Sequence, residues 1–264
     1  MSEFFQRHPR FFDTGETNPD PNRLIGRYGA IIEQRRDIFT GARVLDLGSH
    51  DGRWSLAALD AGAAHVTGVE ARANLIEKAE ANFSHYGVEA SGYVFEENDA
   101  NAYLRDADAD SVDVVLCLGF FYHTAHHMEL IVQFARLGAR HIVIDTAVTQ
   151  DDRPIILMNT EETADLRRSI DYMGTGRAAV PVGRPSPAAL VMMLDGAGYE
   201  TAFYPWPEYA GDWAALPDYR KGDRMTAIAA RRGEGGGMSI SILLRTYIGV
   251  FAAFSVMDAI WLGR

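Results

Sequence analysis

The sequence predicts an α/β protein: a seven-stranded, mostly parallel sheet flanked by helices. Three observations predict it. Short β-branched runs alternate with amphipathic helical patterns, a glycine-rich turn follows the first run, and a carboxylate ends the second. At 264 residues the chain holds one sizeable domain plus appendages.

The runs Arg43–Leu47, His65–Val69, Gly92–Glu96, Val112–Leu118 and His141–Thr146 read as successive strands. Two late ones follow at Tyr199–Pro205 and Met225–Ala230. Between them Leu75, Ala79, Phe83 and Tyr86 recur at helical spacing before Gly87, and Met128, Ile131, Val132 and Ala135 do so before Gly138. Residues 1–42 read as an N-terminal cap, an irregular lead followed by a helix over Tyr28–Ile38. The main domain covers 43–232. Within it, 148–186 breaks the alternation, with a helical stretch at Glu161–Tyr172 and a Gly/Pro-rich return, as expected of a lid. Ser186 caps the helix after it. Residues 233–239 are a glycine-rich linker. The segment 240–264 reads as a transmembrane helix, since Ile240–Leu262 is long enough to span a bilayer at about 1.5 Å per residue.

Composition narrows the partners. A formal net charge of −11 disfavours RNA as acceptor, because phosphate binding draws on clustered Lys and Arg. The first 42 residues balance, with six Arg against six acidic side chains. The single cysteine, Cys117, lies in an apolar run and reads as buried, and no Cys-based metal site exists. No metal is expected at the adjacent His126 and His127 either, which point different ways on a helix and read as solvent-facing. The chain opens on polar residues, which places the catalytic domain in the cytoplasm, with a membrane anchor through the C-terminal helix. The oligomeric state is not legible.

The chemistry concentrates in RVLDLGSHDGRWSLAAL. A strand ends in Asp46, a turn carries Gly48, Ser49, His50, Asp51 and Gly52, and a helix starts near Arg53. Glycines let the backbone turn tightly and a ligand approach without meeting a Cβ. Glu70, 24 residues after Asp46, stands where a carboxylate accepts hydrogen bonds from ribose hydroxyls. A dinucleotide oxidoreductase uses the same crevice, but the turn lacks its G-x-G-x-x-G spacing. Arg72 reads as a solvated helix-start residue.

DLGSHDG resembles the first motif of the class I S-adenosylmethionine-dependent methyltransferases, with His50 in place of the middle glycine, and the resemblance runs from Arg43 to Arg232. It implies a Rossmann-like sheet, S-adenosyl-L-methionine as cofactor, and in-line transfer of a methyl group to a small-molecule or lipid acceptor. Glu70 and Ala71 match the ribose-binding position, Asn98-Asp99-Ala100 the adenine position, and DVVLCLGFFYHT the fourth motif, in which Leu118, Gly119 and Tyr122 line the transfer pocket. LGFFYH with RPSPAALVMMLDGAGY is similar to the tRNA wobble-uridine carboxymethyltransferase group. That likeness implies cofactor contacts at Tyr122 and Arg224 and makes a wobble uridine the alternative acceptor. The His50 departure leaves a non-catalytic cofactor-binding module as a third reading. MDAIWLG resembles the first span of a family of small multi-spanning membrane proteins.

A base is needed only where the nucleophile is protonated. His123, beside Tyr122, is the candidate, weighed against a purely structural role. Tyr172, Arg177, Arg184 and Arg224 are the candidate acceptor contacts, the arginines suiting an anionic group.

Overall fold

The order of the main sheet reverses direction at its centre, and that reversal places everything else. The computed structural model describes residues 3–16, 20–165 and 167–233. The strands are β1 (Arg43–Leu47), β2 (His65–Glu70), β3 (Tyr93–Glu97), β4 (Val114–Leu118), β5 (His141–Ala147), β6 (Ile156–Glu162), β7 (Ala179–Pro185), β8 (Tyr199–Phe203) and β9 (Arg224–Arg231). Seven of them form one sheet in the order β3-β2-β1-β4-β5-β9-β8. The first five run parallel, and β9 lies antiparallel to both β5 and β8. The seven expected strands are all present, with ends shifted by a residue or two.

Alternate residues of the parallel strands serve two cores. Val44, Val66, Val114 and Leu116 pack with Leu24, Tyr28, Trp54, Ala57 and Phe83 on one face. Leu45, Leu47, Val69, Val115 and Cys117 pack with Leu104, Leu130, Phe134 and Leu190 on the other. Both faces are covered, so the strands are apolar throughout, as in β4 where every residue is buried.

Four expectations are corrected. The lead is not irregular: short helices Glu3–Arg7 and Phe11–Thr14 precede the helix Pro21–Ile31, and the expected Tyr28–Ile38 helix is split between the end of that helix, a 3-10 turn at Glu33–Arg35 and a short helix at Arg36–Phe39. Phe4, Phe5 and Phe11 are buried, with Phe4 stacked on Tyr28 at 5.1 Å. Aromatic burial thus ties the lead to the main core. In the helix His127–Arg136 the buried stripe is His127, Leu130, Ile131 and Phe134, whereas Met128 and Val132 are exposed. Glu161–Tyr172 is not a helix. Glu161 lies in β6, which pairs antiparallel with β7 from Ile156↔Pro185 to Glu162↔Ala179, so the expected lid carries a two-stranded ribbon. His127 is buried, and its Nε2 lies 3.0 Å from the carbonyl oxygen of Gly183 in β7, which joins ribbon to helix. The expected C-terminal membrane span lies outside the described residues. Among the described residues no helix is long and apolar enough to cross a membrane.

Gly68 shows how tightly the second strand is packed against the glycine turn. A Cβ there would stand 2.5 Å from Cδ1 of Phe95 and 3.0 Å from Cβ of Ser49. Gly68→Ala should therefore destabilise the protein by about 1 to 3 kcal/mol, the usual cost of overpacking. Urea unfolding checks this; a midpoint equal to that of the unsubstituted protein would contradict it.

Candidate active site

The helices after β1 and β4 leave toward opposite faces of the sheet, so a crevice opens above the carboxyl ends of these two strands. A cavity of about 320 Å³ occupies it. The turn at its floor is built by unusual backbone. Gly48 and Gly52 have φ of 74° and 79°, and His50 shares the left-handed region at 53°. A non-glycine residue in that region stores strain. Gly48 N and Ser49 N both donate to the carbonyl oxygen of Val69, at 2.8 and 3.0 Å, which locks the turn onto the end of β2.

Glu70, only 6% exposed, faces the cavity at that end. Its Oε2 accepts from His50 N at 3.3 Å and its Oε1 from Arg72 N at 3.1 Å. Two backbone amides thus orient the carboxylate, with two lone pairs left for a ligand. Arg72 is a further correction: it lines the cavity, with Nη1 3.7 Å from Glu70. His50, Ala71, Asn98, Asp99, Ala100, Leu118, Gly119, Tyr122, His123, Tyr172 and Arg224 also line it. Asp99 caps the helix Ala100–Asp106, with Oδ1 accepting from Ala102 N at 3.0 Å, which leaves its other oxygen uncommitted to the cap.

Asp46, Ser49, Asp51 and Gly52, also expected at the cofactor, are not among the residues that line the cavity. Asp46 is fully buried and accepts from Ser55 Oγ at 2.6 Å, one turn into the helix that follows. Asp51 is clamped by Arg53 Nε and Nη2, each at 2.6 Å, and by Thr14 Oγ1 at 2.6 Å. The two carboxylates therefore build the turn, and Ser49 is buried behind it. Arg177 and Arg184 are exposed and also lie outside the cavity lining.

The charge states follow from these surroundings. Burial, reinforced by the nearby Glu70 and Asp51, pushes Asp46 up to about 7 despite the Ser55 bond. Burial alone would raise Asp51 too, but the Arg53 guanidinium overrides it and holds that carboxyl well below the usual range. Asp145 on β5 is likewise fully buried, yet Arg224 and Arg27 bring it down to about 2. It accepts from Tyr219 Oη at 2.7 Å, Thr226 Oγ1 at 2.8 Å and Arg224 Nε at 2.7 Å. Arg224 in turn stands 5.3 Å over the Tyr122 ring.

On the turn after β4, His123 Nδ1 meets Glu161 Oε2 at 2.5 Å. Burial opposes ionisation of Glu161, but the His123 bond and the Ser169 amide, 3.0 Å away, hold it below its ordinary value. Ser169 Oγ closes the loop by donating to the His123 carbonyl oxygen at 2.7 Å. An ionised Glu161 keeps the proton on Nδ1 and leaves Nε2 as an acceptor. Glu161 carried no sequence signal, since its partner is 38 residues away. Arg27, Trp54 and Leu24 were also missed, Leu24 and Arg27 because the helix was expected to begin only at Tyr28.

Comparison with known proteins agrees with this architecture. Residues 44–140 match the family model of a methyltransferase domain. The N-terminal domain of EvdMO1 with SAH bound shares the fold at a TM-score of 0.56 and 18% identity, over 84% of each chain. A putative S-adenosylmethionine-dependent methyltransferase from Listeria monocytogenes gives 0.56 and 13%, over 80% of this chain and 98% of that one. Magnesium protoporphyrin IX methyltransferase from Synechocystis PCC 6803 with bound SAM gives 0.52 and 16%, over 87% and 92%. No curated protein matches. Residues 44–140 thus match a methyltransferase domain, within the fold that these solved structures share.

Two outcomes follow from the site. Asp46 has a folded value of about 7 against 3.8 in the unfolded chain, so its contribution to stability is full below about pH 4 and is lost as pH rises to about 7. Asp51 and Asp145 are ionised in both states above about pH 5, so Asp46→Asn should flatten the fall in stability between about pH 5 and 7. Urea unfolding at several pH values measures it; parallel curves would contradict the assignment. In long-range 1H–15N spectra His123 should show the Nδ1–H tautomer, and Glu161→Gln should shift it toward Nε2–H. An Nε2–H tautomer in the unsubstituted protein would refute the dyad.

Proposed function

We propose that the protein is a methyltransferase that uses S-adenosyl-L-methionine and transfers the methyl group to a small-molecule or lipid acceptor. The observation that carries the reading is Glu70: a buried carboxylate aimed into the crevice from the end of β2, oriented by two backbone amides and free to accept from a diol. The site also fits the cofactor's shape. Gly48 and Gly119, at φ of 74° and 87°, leave the floor clear of Cβ atoms where an extended ligand must lie against backbone. Asp99 and Asn98 stand beyond Glu70, where an exocyclic amine of the base would find an acceptor.

When bound, the cofactor supplies an electrophilic methyl on a sulfonium leaving group, so alignment is most of what the protein must provide. Held alignment is worth on the order of 7 to 11 kcal/mol in favourable cases. Leu118, Gly119 and Tyr122 shape the wall at the end of β4, and His123 follows on the same turn. For a hydroxyl or acidic carbon nucleophile, His123 Nε2 takes the proton as the carbon–nucleophile bond forms, and Glu161 holds the ring and balances the imidazolium. Glu161 is a positioning residue and His123 the base. The basic side chains converge inside the cavity instead of spreading over a face, which favours a small acceptor over the RNA alternative.

Calorimetry with S-adenosylhomocysteine tests this reading without knowledge of the acceptor. Micromolar binding is expected, with Glu70→Ala weakening it at least about tenfold, roughly 1.4 kcal/mol. Equal affinity in both proteins would overturn the assignment of Glu70.

A further inference from the structure

Seven arginines line the cavity of a protein whose formal net charge is −11. Most are neutralised on site. Arg23 makes a two-pronged bond to Asp218, both arms at 2.6 Å, and Arg53 does the same to Asp51. Arg72 faces Glu70. Arg167 and Arg168 share Asp165 but are exposed, where water screens the surplus.

Arg27 and Arg224 differ. Their side chains are only 12% and 8% exposed, and both converge on the single carboxylate of Asp145, Arg27 Nη2 at 3.1 Å and Arg224 Nη2 at 2.6 Å. Two guanidiniums against one carboxylate leave a buried surplus of one positive charge on the cavity wall. Arg27 Nε is buried and has no hydrogen-bond partner among the described residues. An unpaired buried donor on a cation is costly unless a ligand meets it. Trp54 shields one side of the group, its ring 5.1 Å from the Arg27 guanidinium carbon. Tyr122, under Arg224, links the pair to the turn that carries His123.

We infer that Arg27 and Arg224 form an anion subsite, and that the acceptor carries a carboxylate or phosphate which this subsite holds beside His123. The inference rests on the methyltransferase reading and sharpens its substrate class. The cofactor's own amino-acid carboxylate has the same chemistry, so the source of the anion is part of the test.

The full chain is titrated calorimetrically with acetate and with inorganic phosphate, with and without saturating S-adenosylhomocysteine. A saturable heat that persists in the S-adenosylhomocysteine complex, falls at least tenfold in affinity in Arg27→Met, returns in Arg27→Lys and is unchanged in the exposed Arg184→Met supports the subsite. Loss of the heat once S-adenosylhomocysteine is bound overturns it, because the arginines then serve the cofactor's carboxylate. No saturable heat with either anion, while S-adenosylhomocysteine still binds, also overturns it and leaves the cofactor assignment standing. Failure of S-adenosylhomocysteine itself to bind would instead strike the broader reading.

Discussion

The constraint on which the molecule depends is the divergence between β1 and β4. Hydrogen-bonded side by side, the two strands send their following helices to opposite faces of the sheet, and neither of those helices covers the gap above their ends. The glycine turn, Glu70 from the neighbouring strand, and the β4 turn bearing Tyr122 and His123 all open onto that gap. What closes it comes from far away in the chain. The helix Pro21–Ile31 contributes Arg23, Leu24 and Arg27, and the segment after β6 contributes Ser169, Ile170 and Tyr172. Tyr172 donates to the Pro181 carbonyl oxygen and accepts from Ala125 N at 3.2 Å, so ribbon and turn form one wall.

Charge is divided between building and binding. Asp46, Asp51 and Asp145 are buried and spent on structure, each through a different balance. Asp46 is pushed up by burial and its acidic neighbours, against the hydroxyl that donates to it. Asp51 has one two-pronged arginine and is pulled down. Asp145 has two arginines, a tyrosine and a threonine, and stays ionised. Glu70, by contrast, takes only backbone amides as hydrogen-bond donors, which leaves its capacity for a ligand.

Much of this was legible in the residues. Strand positions followed from β-branched runs, and the crevice from glycines with a carboxylate one strand later. Local signals also marked Glu70, the Asn98–Ala100 turn and the Tyr122-His123 pair. The failures share a cause, which is that they depend on contacts distant in sequence. A carboxylate before a glycine turn can face ligand or helix, and only the Ser55 hydroxyl decides that Asp46 turns inward. Glu161 joins the site because β6 pairs with β7 and brings it to His123. Polar residues in 156–162 hid a strand whose residues are mostly exposed and so lack an apolar alternation. Arg177 and Arg184 sit on that ribbon's outer surface, beyond the cavity.

The most direct measurement is a crystal structure of the protein with S-adenosylhomocysteine. The ribose hydroxyls should lie within hydrogen-bonding distance of Glu70 Oε1 and Oε2, with the amino-acid end over the Gly48–Gly52 turn and the sulfur pointing toward Tyr122 and His123. A ligand bound elsewhere, or one whose ribose leaves Glu70 untouched, would contradict the assignment of this crevice as the seat of methyl transfer.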